Sequence, residues 1–397
     1  MLKKKLNFID LFSGCGGISL GLEEAGLNCL LGLDFLESAI ETFKVNHKNS
    51  IGICADIQKT KTSDIKKLIK NQRVDLICGG PPCQGFSTVG LGQADDKRNH
   101  LFLDFVRFVR DFEPSYIMIE NVTGLLAKKN ENTLKSIYKE FQKLGYHLDI
   151  RVLTASHFGV PEVRRRVIIL GNKIGCQNFY PEKEYANYGE KVKGLKAVRN
   201  VEWAFNNLLT YRGQAFNHDI EAAQIKKDID KKRIKHIPEG KYIRYERDEK
   251  EFLPKSLWFD HDWNSLGENR FREAKYQRLD RKKPSPTILT SRNIYYHPIE
   301  DRYLTVREAA ALQSFPAKFK FCGSLASQWT QVGNAVPPMM AKKIGEAILQ
   351  TEKNKKVKYK DAPTFDFESV RKYAFKYDKD THDHSSGSFE QLTLIME

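Results

Sequence analysis

Short apolar runs alternate with stretches of helical periodicity from Leu6 to about Gly171. Apolar runs bounded by turn residues predict strands, and apolar positions recurring every three or four residues predict helices. The predicted strands are Leu6–Phe12, Cys29–Asp34, Val74–Cys78, Tyr116–Glu120, His147–Leu153 and Val167–Leu170, and the predicted helices include Leu101–Phe112 and Glu131–Leu144. Alternating strands and helices indicate an open α/β sheet with mostly parallel strands. Ligands bind such sheets beyond the carboxyl ends of the strands.

The alternation weakens from about Cys176, where charged residues become frequent. This change predicts a second, less regular region that extends to about Tyr296. A helical pattern returns in LTVREAAALQSFP, with Thr305 as the predicted N-cap and a stop at Pro316. The tail beyond Thr351 is charged and then rich in Ser, Gly and His, and we expect it to be peripheral.

Composition predicts folded domains and a nucleic-acid partner. The length of 397 residues suits two domains, or one large domain with an insertion, and 41% hydrophobic residues are enough for a real core. Lys and Arg number 65 against 50 Asp and Glu, a net charge of +15. A nucleic acid is therefore the expected partner, with a merely basic surface as the alternative.

Cysteine usage and hydropathy argue against several other classes. The seven cysteines include no CxxC pair, so neither a disulfide framework nor a metal site is expected. The sequence shows no run long enough to cross a bilayer, and the short apolar N-terminal stretch is typical of a strand rather than a signal peptide. We therefore expect a cytoplasmic protein without a membrane partner.

A glycine-rich turn follows the first predicted strand in FIDLFSGCGGISLG, with Gly14, Gly16 and Gly17 ahead of a helix. Glycine permits a tight turn and lets a ligand come close. Asp34 ends the next strand, where a carboxylate suits a ribose diol. Asp56 follows the apolar step ICADI, where it can accept a hydrogen bond from an adenine amino group. An ordinary turn and a solvated carboxylate are the alternatives, and the turn alone would equally suit NAD.

Cys83 lies in GGPPCQGFS, a turn that follows the predicted strand DLIC. Two glycines and two prolines give this turn an irregular, exposed backbone. A thiol in a loop at the carboxyl edge of a sheet is a candidate nucleophile. The alternative is a packed, inert cysteine, since free cysteines are usually buried. The next stretch, Gln84–Asn99, is rich in Gly, Ser and charge and predicts a lid.

Three more motifs place polar residues at the ends of apolar runs. Glu120 ends the run YIMI, and a half-buried carboxyl there is costly unless it is used. In VPEVRRR, three arginines precede an apolar run, and Arg164 and Arg166 would share one face of a strand. QVGNAVPP, residues 331–338, is a Gly/Pro turn before a predicted helix. An exposed carboxylate, a solvated basic edge and a plain loop are the respective alternatives.

The order of these motifs is more specific than any one of them. FSGCGG, PPCQGFS, ENV, VPEVRRR, REAAALQSFP and QVGNAVPP follow the motif order of the cytosine-5 DNA methyltransferases, which the chain resembles from Phe8 to about Pro338. The resemblance implies a Rossmann-like, S-adenosylmethionine-dependent methyltransferase domain with a smaller, irregular target-recognition domain, of the bacterial restriction-modification type. The implied divisions are a catalytic domain at 1–190, a recognition domain at 191–300, a return to the catalytic domain at 301–350 and a tail at 351–397.

The resemblance also implies which residues hold S-adenosylmethionine. Asp34 would bind the ribose, although the family often has Glu at this position, and Phe35 would pack on the adenine ring. Arg307 and Glu308 would be structural supports that take no part in the reaction. The remaining cofactor residues would be Phe12, Cys15, Gly17, Asp56, Ile57, Gly80, Pro82, Leu101, Asn334 and Val336.

For catalysis, the resemblance implies that Cys83 adds to C6 of cytosine and so activates C5. Glu120 would hydrogen-bond the N3 and N4 edge of the base, and Arg166, with Arg164 nearby, would contact O2. C6 is stacked inside duplex DNA, so the cytosine would have to be flipped out under the lid.

Double-stranded DNA is accordingly the expected partner. Gln84 and Ser87 of the lid would contact it, as would Thr287, since Thr287-Ile288 resembles the Thr-Leu pair with which the family's recognition domain ends. Basic residues at 226–235 and 278–283 would contact phosphates, with a solvated face as the alternative. A cognate restriction endonuclease and a monomeric state are further expectations from the family.

Three other functions compete with this one. An RNA-methylating member of the family would carry a Cys-Phe-Thr signature, which the recognition region lacks. An inactive DNA-binding paralogue would not need Cys83, Glu120 and both arginines. A nicotinamide-dependent oxidoreductase would explain the glycine-rich turn but none of the later motifs. The motifs do not indicate which DNA sequence is the target.

Overall fold

The computed structural model describes residues 5–82, 97–206, 208, 215–356 and 365–376. The chain divides into two compact units. Unit 1 comprises Met1–Gly159, Arg164–Ala197 and Ala335–Glu397, and unit 2 comprises Val160–Val163 and Val198–Asn334. Cys83, Gln84 and Ser87 lie outside the described residues, as does most of the predicted lid.

Unit 1 is built on a seven-stranded sheet. Its strands are β1 (Asn7–Leu11), β2 (Asn28–Asp34), β3 (Ile51–Cys54), β4 (Leu76–Gly79), β5 (Tyr116–Asn121), β6 (His147–Thr154) and β8 (Arg165–Asn172), while β7 (Glu162–Val163) belongs to unit 2. The strand order is β3-β2-β1-β4-β5-β8-β6. The first five strands in this order pair in parallel, and β8 is antiparallel to both β5 and β6. The mostly parallel α/β sheet predicted from the alternation is confirmed.

Helices cover the sheet of unit 1. They are α1 (Gly17–Ala25), α2 (Glu37–Asn46), α3 (Thr62–Leu68), α4 (Lys97–Phe112), α5 (Glu131–Lys143), α11 (Pro338–Lys353) and α12 (Phe367–Lys376). Gly21 in α1 and Gly345 in α11 lie at their contact, where a Cβ on either residue would collide with the other helix. Because both residues are glycines, the two helices pack closely. The segment that re-enters unit 1 at Ala335 is therefore packed against α1.

The pleat of the sheet separates the core from the site. Ile117 and Ile119 of β5 and Val167 and Ile169 of β8 are buried in one apolar cluster with α4 and α5. Successive side chains of a strand point to opposite faces. Glu120, Arg166 and the residue paired with Glu120, Ile168, therefore belong to the other face.

Unit 2 is less regular. Its helices are α6 (Val201–Asn206), α7 (Asp228–Ile234), α8 (Glu246–Phe252), α9 (Val306–Leu312) and α10 (Leu325–Asn334). Its strands besides β7 are β9 (Ile243–Tyr245), β10 (Arg270–Lys275), β11 (Gln277–Arg278), β12 (Ser285–Pro286) and β13 (Tyr295–Tyr296), which pair two by two as β9–β10, β11–β13 and β7–β12. A separate apolar cluster that includes Ile234, Ile243 and Tyr296 forms its core.

Several predicted boundaries differ from the structure. The chain returns to unit 1 at Ala335, not at residue 301, because α9 and α10 pack within unit 2, where α9 contacts α6. The helix capped by Thr305 ends at Leu312, before Pro316, and Ser314 takes a left-handed φ of 64°. Helix α4 begins at Lys97, so the last residues of the stretch predicted as a lid, Gln84–Asn99, are helical.

The expectation of a wholly peripheral tail is wrong. Helix α11 continues to Lys353, and α12 buries Phe367 and Ala374 in the core of unit 1. The signal was in the sequence, since Phe367, Val370, Ala374 and Phe375 follow helical spacing. In the described part of the chain, no helix is both long and apolar enough to cross a bilayer.

Candidate functional site

The glycine-rich turn after β1 is organised by the carboxylate of Asp34. The backbone is left-handed at Phe12, Gly14 and Gly16, with φ of 61°, 52° and 92°. Oδ2 of Asp34 accepts the Gly14 N–H at 2.9 Å, and Oδ1 accepts the Leu36 N–H at 2.9 Å. Burial raises the pKa of this carboxyl, while the two N–H groups act in the opposite direction. Asp34 thus fixes the turn itself, a role that the sequence did not reveal.

Two buried polar groups support the turn from below. The ring of His47 packs under Gly16, where it leaves no room for a Cβ, and its Nδ1 lies 2.7 Å from Oε2 of Glu23. Asp10 of β1 is fully buried and accepts the Ser19 hydroxyl at 2.6 Å. Burial raises the pKa of Asp10 to about 7. The hydrogen bond between Asp10 and Ser19 fixes the start of α1 against β1. The ring of His47 explains why residue 16 must be glycine.

The next strand ends carry the other predicted cofactor residues. Phe35 follows β2 with 69% of its surface exposed, as a ring that stacks on a ligand requires. Asp56 follows β3, with its carboxylate partly exposed and accepting the Gln58 N–H at 3.0 Å, and Ile57 is buried. The structure therefore brings an exposed ring and a carboxylate to the same edge of the sheet as the glycine-rich turn.

Glu120 and Arg166 form an ion pair at the carboxyl end of β5. Nε of Arg166 lies 2.8 Å from Oε1 of Glu120, and both side chains are largely buried, with 14% and 13% exposed. The other oxygen, Oε2, faces Gly80, whose missing side chain leaves space there, since a Cβ would lie 3.0 Å away. Two residues far apart in the sequence are thus joined next to the turn that precedes Cys83.

The backbone that leads to Cys83 is fixed to the same strand end. Nδ2 of Asn121 donates a hydrogen bond to the carbonyl oxygen of Pro81 at 2.9 Å. Cys83 itself lies outside the described residues, two positions beyond this anchor. Asn121 was not among the predicted site residues, although its place in the motif ENV was a signal.

Three of the described cysteines are poor candidates for a nucleophile because burial disfavours their thiolate form. Burial raises the pKa of the Cys15 thiol to about 12, and it raises those of Cys29 and Cys78 as well. Cys176 is buried, whereas Cys54 is exposed and its Sγ lies 3.5 Å from the carbonyl oxygen of Phe35. A buried thiol with a raised pKa holds little thiolate, the form that attacks.

Comparison with known proteins identifies the family to which this chain belongs. The family model described as C-5 cytosine-specific DNA methylase matches residues 6–350, which include the strand ends and both members of the ion pair. The chain belongs to this family. It is a DNA (cytosine-5) methyltransferase, and its cofactor is S-adenosylmethionine.

Relatives place this methylase among the restriction-modification enzymes. It is 34% identical over 352 residues to the type II methyltransferase M1.HphI of Haemophilus parahaemolyticus, which covers 88% of each chain. It is 32% identical over 377 residues to M.DdeI of Desulfomicrobium norvegicum, covering 86% of this chain and 88% of that one. A solved DNA modification methyltransferase from an E. coli prophage is 25% identical with a TM-score of 0.65, covering 88% of this chain and all of that one.

The three consecutive arginines of the methylase differ in environment. Arg166 lies on the face of Glu120, whereas Arg165 stacks over the ring of Phe375, 5.7 Å from its centre, on the apolar face. Arg164 is buried, with 1% exposed. Arg166 lies next to the carboxylate of Glu120, and the predicted role of Arg164 beside it stays a prediction.

The other predicted site residues are divided between the units. In unit 1, Val336 is buried and Leu101 is half-buried against the core. In unit 2, Asn334 is exposed at the end of α10, and the Thr287 hydroxyl donates to the carbonyl oxygen of Val163 at 3.0 Å. Their predicted contacts with cofactor and DNA stay predictions.

The two predicted structural supports are firmly held in unit 2. Arg307 is buried and donates to the carbonyl oxygens of Phe216 and Pro316 at 2.8 and 3.0 Å. Glu308 forms a capping box with Thr305 and binds Arg302 at 2.7 Å. Both side chains are thus engaged within the fold, as a structural role requires.

The ion pair yields the first prediction. Arg166→Ala removes the cation beside Glu120, and we expect the methylation rate on substrate DNA to fall by about a hundredfold or more. The control is Lys173→Ala, which removes a surface ion pair with Glu113, at 3.7 Å and with Glu113 77% exposed. We expect this control to keep its activity, and methylation by Arg166→Ala at the unaltered rate would refute the role of the pair.

Proposed function

We propose that this methyltransferase acts on a flipped-out cytosine in a specific double-stranded DNA sequence, with Cys83 as the nucleophile. The observation that supports this most strongly is the largely buried pair of Glu120 and Arg166, 2.8 Å apart, beside Gly80. The hydrogen bond from Asn121 to Pro81 keeps the backbone before Cys83 at the same strand end.

The roles of the residues follow from the chemistry of cytosine. The Cys83 thiolate forms a bond to C6, and the ring electrons move to C5, which becomes nucleophilic. Glu120 accepts a hydrogen bond from the N4 amino group and, as a protonated carboxyl, donates one to N3, while Arg166 contacts O2. The negative charge that develops on the ring therefore meets fixed hydrogen-bond donors. After C5 has been methylated and has lost its proton, the bond between carbon and sulfur breaks and releases Cys83.

The cofactor fits the edge formed by β1, β2 and β3. When bound, S-adenosylmethionine supplies the electrophilic methyl group. Asp34 would hold the ribose while it keeps its two backbone N–H contacts, and the exposed ring of Phe35 would cover the adenine. Asp56 would meet the adenine amino group from the end of β3. The other residues in this proposal are Phe12, Cys15, Gly17, Ile57, Gly80, Pro82, Leu101, Asn334 and Val336.

Base flipping motivates the remaining assignments near Cys83. A base inside a duplex exposes neither C6 nor its full polar edge, so it must leave the stack before a side chain can add to it. Gln84 and Ser87 would contact the DNA around the vacated position. Arg164, two residues before Arg166 in the sequence, would assist it.

Unit 2 offers a basic groove for the DNA. A cavity of about 450 Å³ is lined by four cationic side chains against two carboxylates, with Tyr276 among the aromatic residues of its wall. The cations are Lys226, Lys227, Lys275 and Arg292, and the carboxylates are Asp230 and Glu273. The three lysines are exposed. Exposed cations along one groove are the usual means of binding phosphates, which supports the proposal that unit 2 recognises the target.

Part of the predicted phosphate contact is corrected by the structure. Arg278 is buried, and its guanidinium binds the carbonyl oxygen of Ile234 at 2.8 Å and the carboxylate of Asp301. Arg281 pairs with Glu239 at 3.0 Å. Arg278 therefore stabilises unit 2 from within and Arg281 is engaged by a carboxylate, whereas Lys226, Lys227 and the exposed Lys282 keep the proposed role.

The family type supports three wider proposals. A restriction endonuclease that recognises the same DNA sequence is the expected functional partner, since the similar proteins are type II methyltransferases by name. The enzyme would act as a monomer in the cytoplasm, where its DNA substrate lies.

Cys83→Ser tests the nucleophile. Serine keeps the shape of the side chain but its hydroxyl is a far weaker nucleophile than a thiolate at neutral pH. We expect methylation to be abolished while the variant still binds substrate DNA and S-adenosylmethionine in equilibrium assays. Retained activity of Cys83→Ser would exclude the covalent mechanism.

The lysines of the groove give a separate prediction. In Lys226→Ala/Lys227→Ala we expect weaker DNA binding and a plot of log affinity against log salt whose slope is shallower by about 2. Lys318→Ala removes an exposed lysine of unit 2 that does not line the groove, and we expect its slope to stay unchanged. Equal slopes for both variants would place the DNA elsewhere.

A further inference from the structure

Helix α12 lies beyond the residues that the family model matches, yet it is docked on the catalytic sheet. The family match ends at residue 350, and α12 covers Phe367–Lys376. Phe367 and Ala374 are buried in the core of unit 1, and the helix contacts β6 and α5. Asp366 caps the helix by accepting the Ser369 N–H at 2.9 Å.

One end of the helix contacts the strand that carries Arg166. The ring of Phe375 lies under the guanidinium of Arg165, 5.7 Å from ring centre to Cζ. This distance is within the range of a cation–π contact. The guanidinium of Arg165 is partly buried, and this burial lowers its pKa to about 10. Because Arg165 and Arg166 are adjacent on opposite faces of β8, fixing one restricts where the other can lie.

The other end contacts the segment that follows Glu120. Lys128 lies between the carboxylates of Glu131 and Glu368, at 2.8 and 3.4 Å, and its Nζ is 5.2 Å from the ring centre of Phe367. Lys128 comes eight residues after Glu120, beyond a short 3₁₀ helix at Thr123–Leu126 that packs on β8. One end of α12 therefore contacts Arg165, the neighbour of Arg166, and the other contacts Lys128 in the segment that follows Glu120.

We propose that α12 is a positioning element for the Glu120–Arg166 pair, acting through Phe375 on Arg165 and through Phe367 and Glu368 on Lys128. The inference rests on the proposed roles of Glu120 and Arg166. A catalytic pair loses much of its effect when it is displaced by an ångström, so a contact on the reverse face of the sheet can set the rate without touching the DNA.

The test compares two phenylalanines of the same C-terminal segment. Phe375→Ala removes the ring under Arg165, and Phe365→Ala removes a ring that packs on Tyr138 of α5, 4.9 Å away. We expect Phe375→Ala to lower the single-turnover methylation rate at least about tenfold, with unchanged affinity for S-adenosylmethionine and DNA. Phe365→Ala should lower the melting temperature comparably and keep the rate within about twofold. Phe375→Tyr, which retains the ring, should restore the rate.

A double-mutant cycle locates the effect. If Phe375 acts through Arg165, then Arg165→Met should slow turnover by itself, and adding Phe375→Ala to it should slow turnover little further. Rates that fall equally in Phe375→Ala and Phe365→Ala, or in neither, would overturn the proposal. That result would be distinct from a failure of the proposed function, in which Arg166→Ala and Cys83→Ser would themselves retain activity.

Discussion

The ion pair between Glu120 and Arg166 is the interaction on which the proposed chemistry depends. It exists because β8 enters the sheet antiparallel, between β5 and β6. An antiparallel neighbour brings its first residues to the carboxyl end of β5, where a parallel strand would bring its last. Arg166 is therefore placed beside Glu120, and the pleat assigns both to the face away from the main apolar cluster. The hydrogen bond from Asn121 to the carbonyl oxygen of Pro81 holds the segment Gly80–Pro82 at the same carboxyl end of β5.

A second constraint organises the cofactor edge. The glycine-rich turn has left-handed residues, and its conformation is held by Asp34 from β2 and by His47 from beyond α2. The carboxylate proposed to bind the ribose also positions the turn, so cofactor binding and local folding share one residue. Exposure of Phe35 beside a buried core is costly in water, and a bound adenine would remove that cost.

Much of this could be predicted from the sequence. Apolar runs located six strands of the main sheet, and glycine, proline and charged residues at their ends located the site. The pairing of Glu120 with Arg166 could not be predicted from the residues alone, because it requires β8 to lie next to β5. Burial of Arg278 was missed for a related reason, since a run of basic residues does not show which of them carbonyl oxygens and carboxylates will engage. The docked helix α12 was missed although its apolar spacing was visible, because the charged residues around it suggested a peripheral tail.

The measurement that tests the account most directly is covalent trapping on DNA that contains 5-fluorocytosine. Fluorine cannot leave C5 as a proton does, so an enzyme that adds Cys83 to C6 stays attached to the base once the methyl group has been transferred. Incubation with S-adenosylmethionine and a duplex that the enzyme methylates should give a complex stable to denaturation, and peptide mapping should place the bond at Cys83. A duplex that is methylated with ordinary cytosine but gives no adduct with 5-fluorocytosine, or an adduct at another residue, would contradict the mechanism.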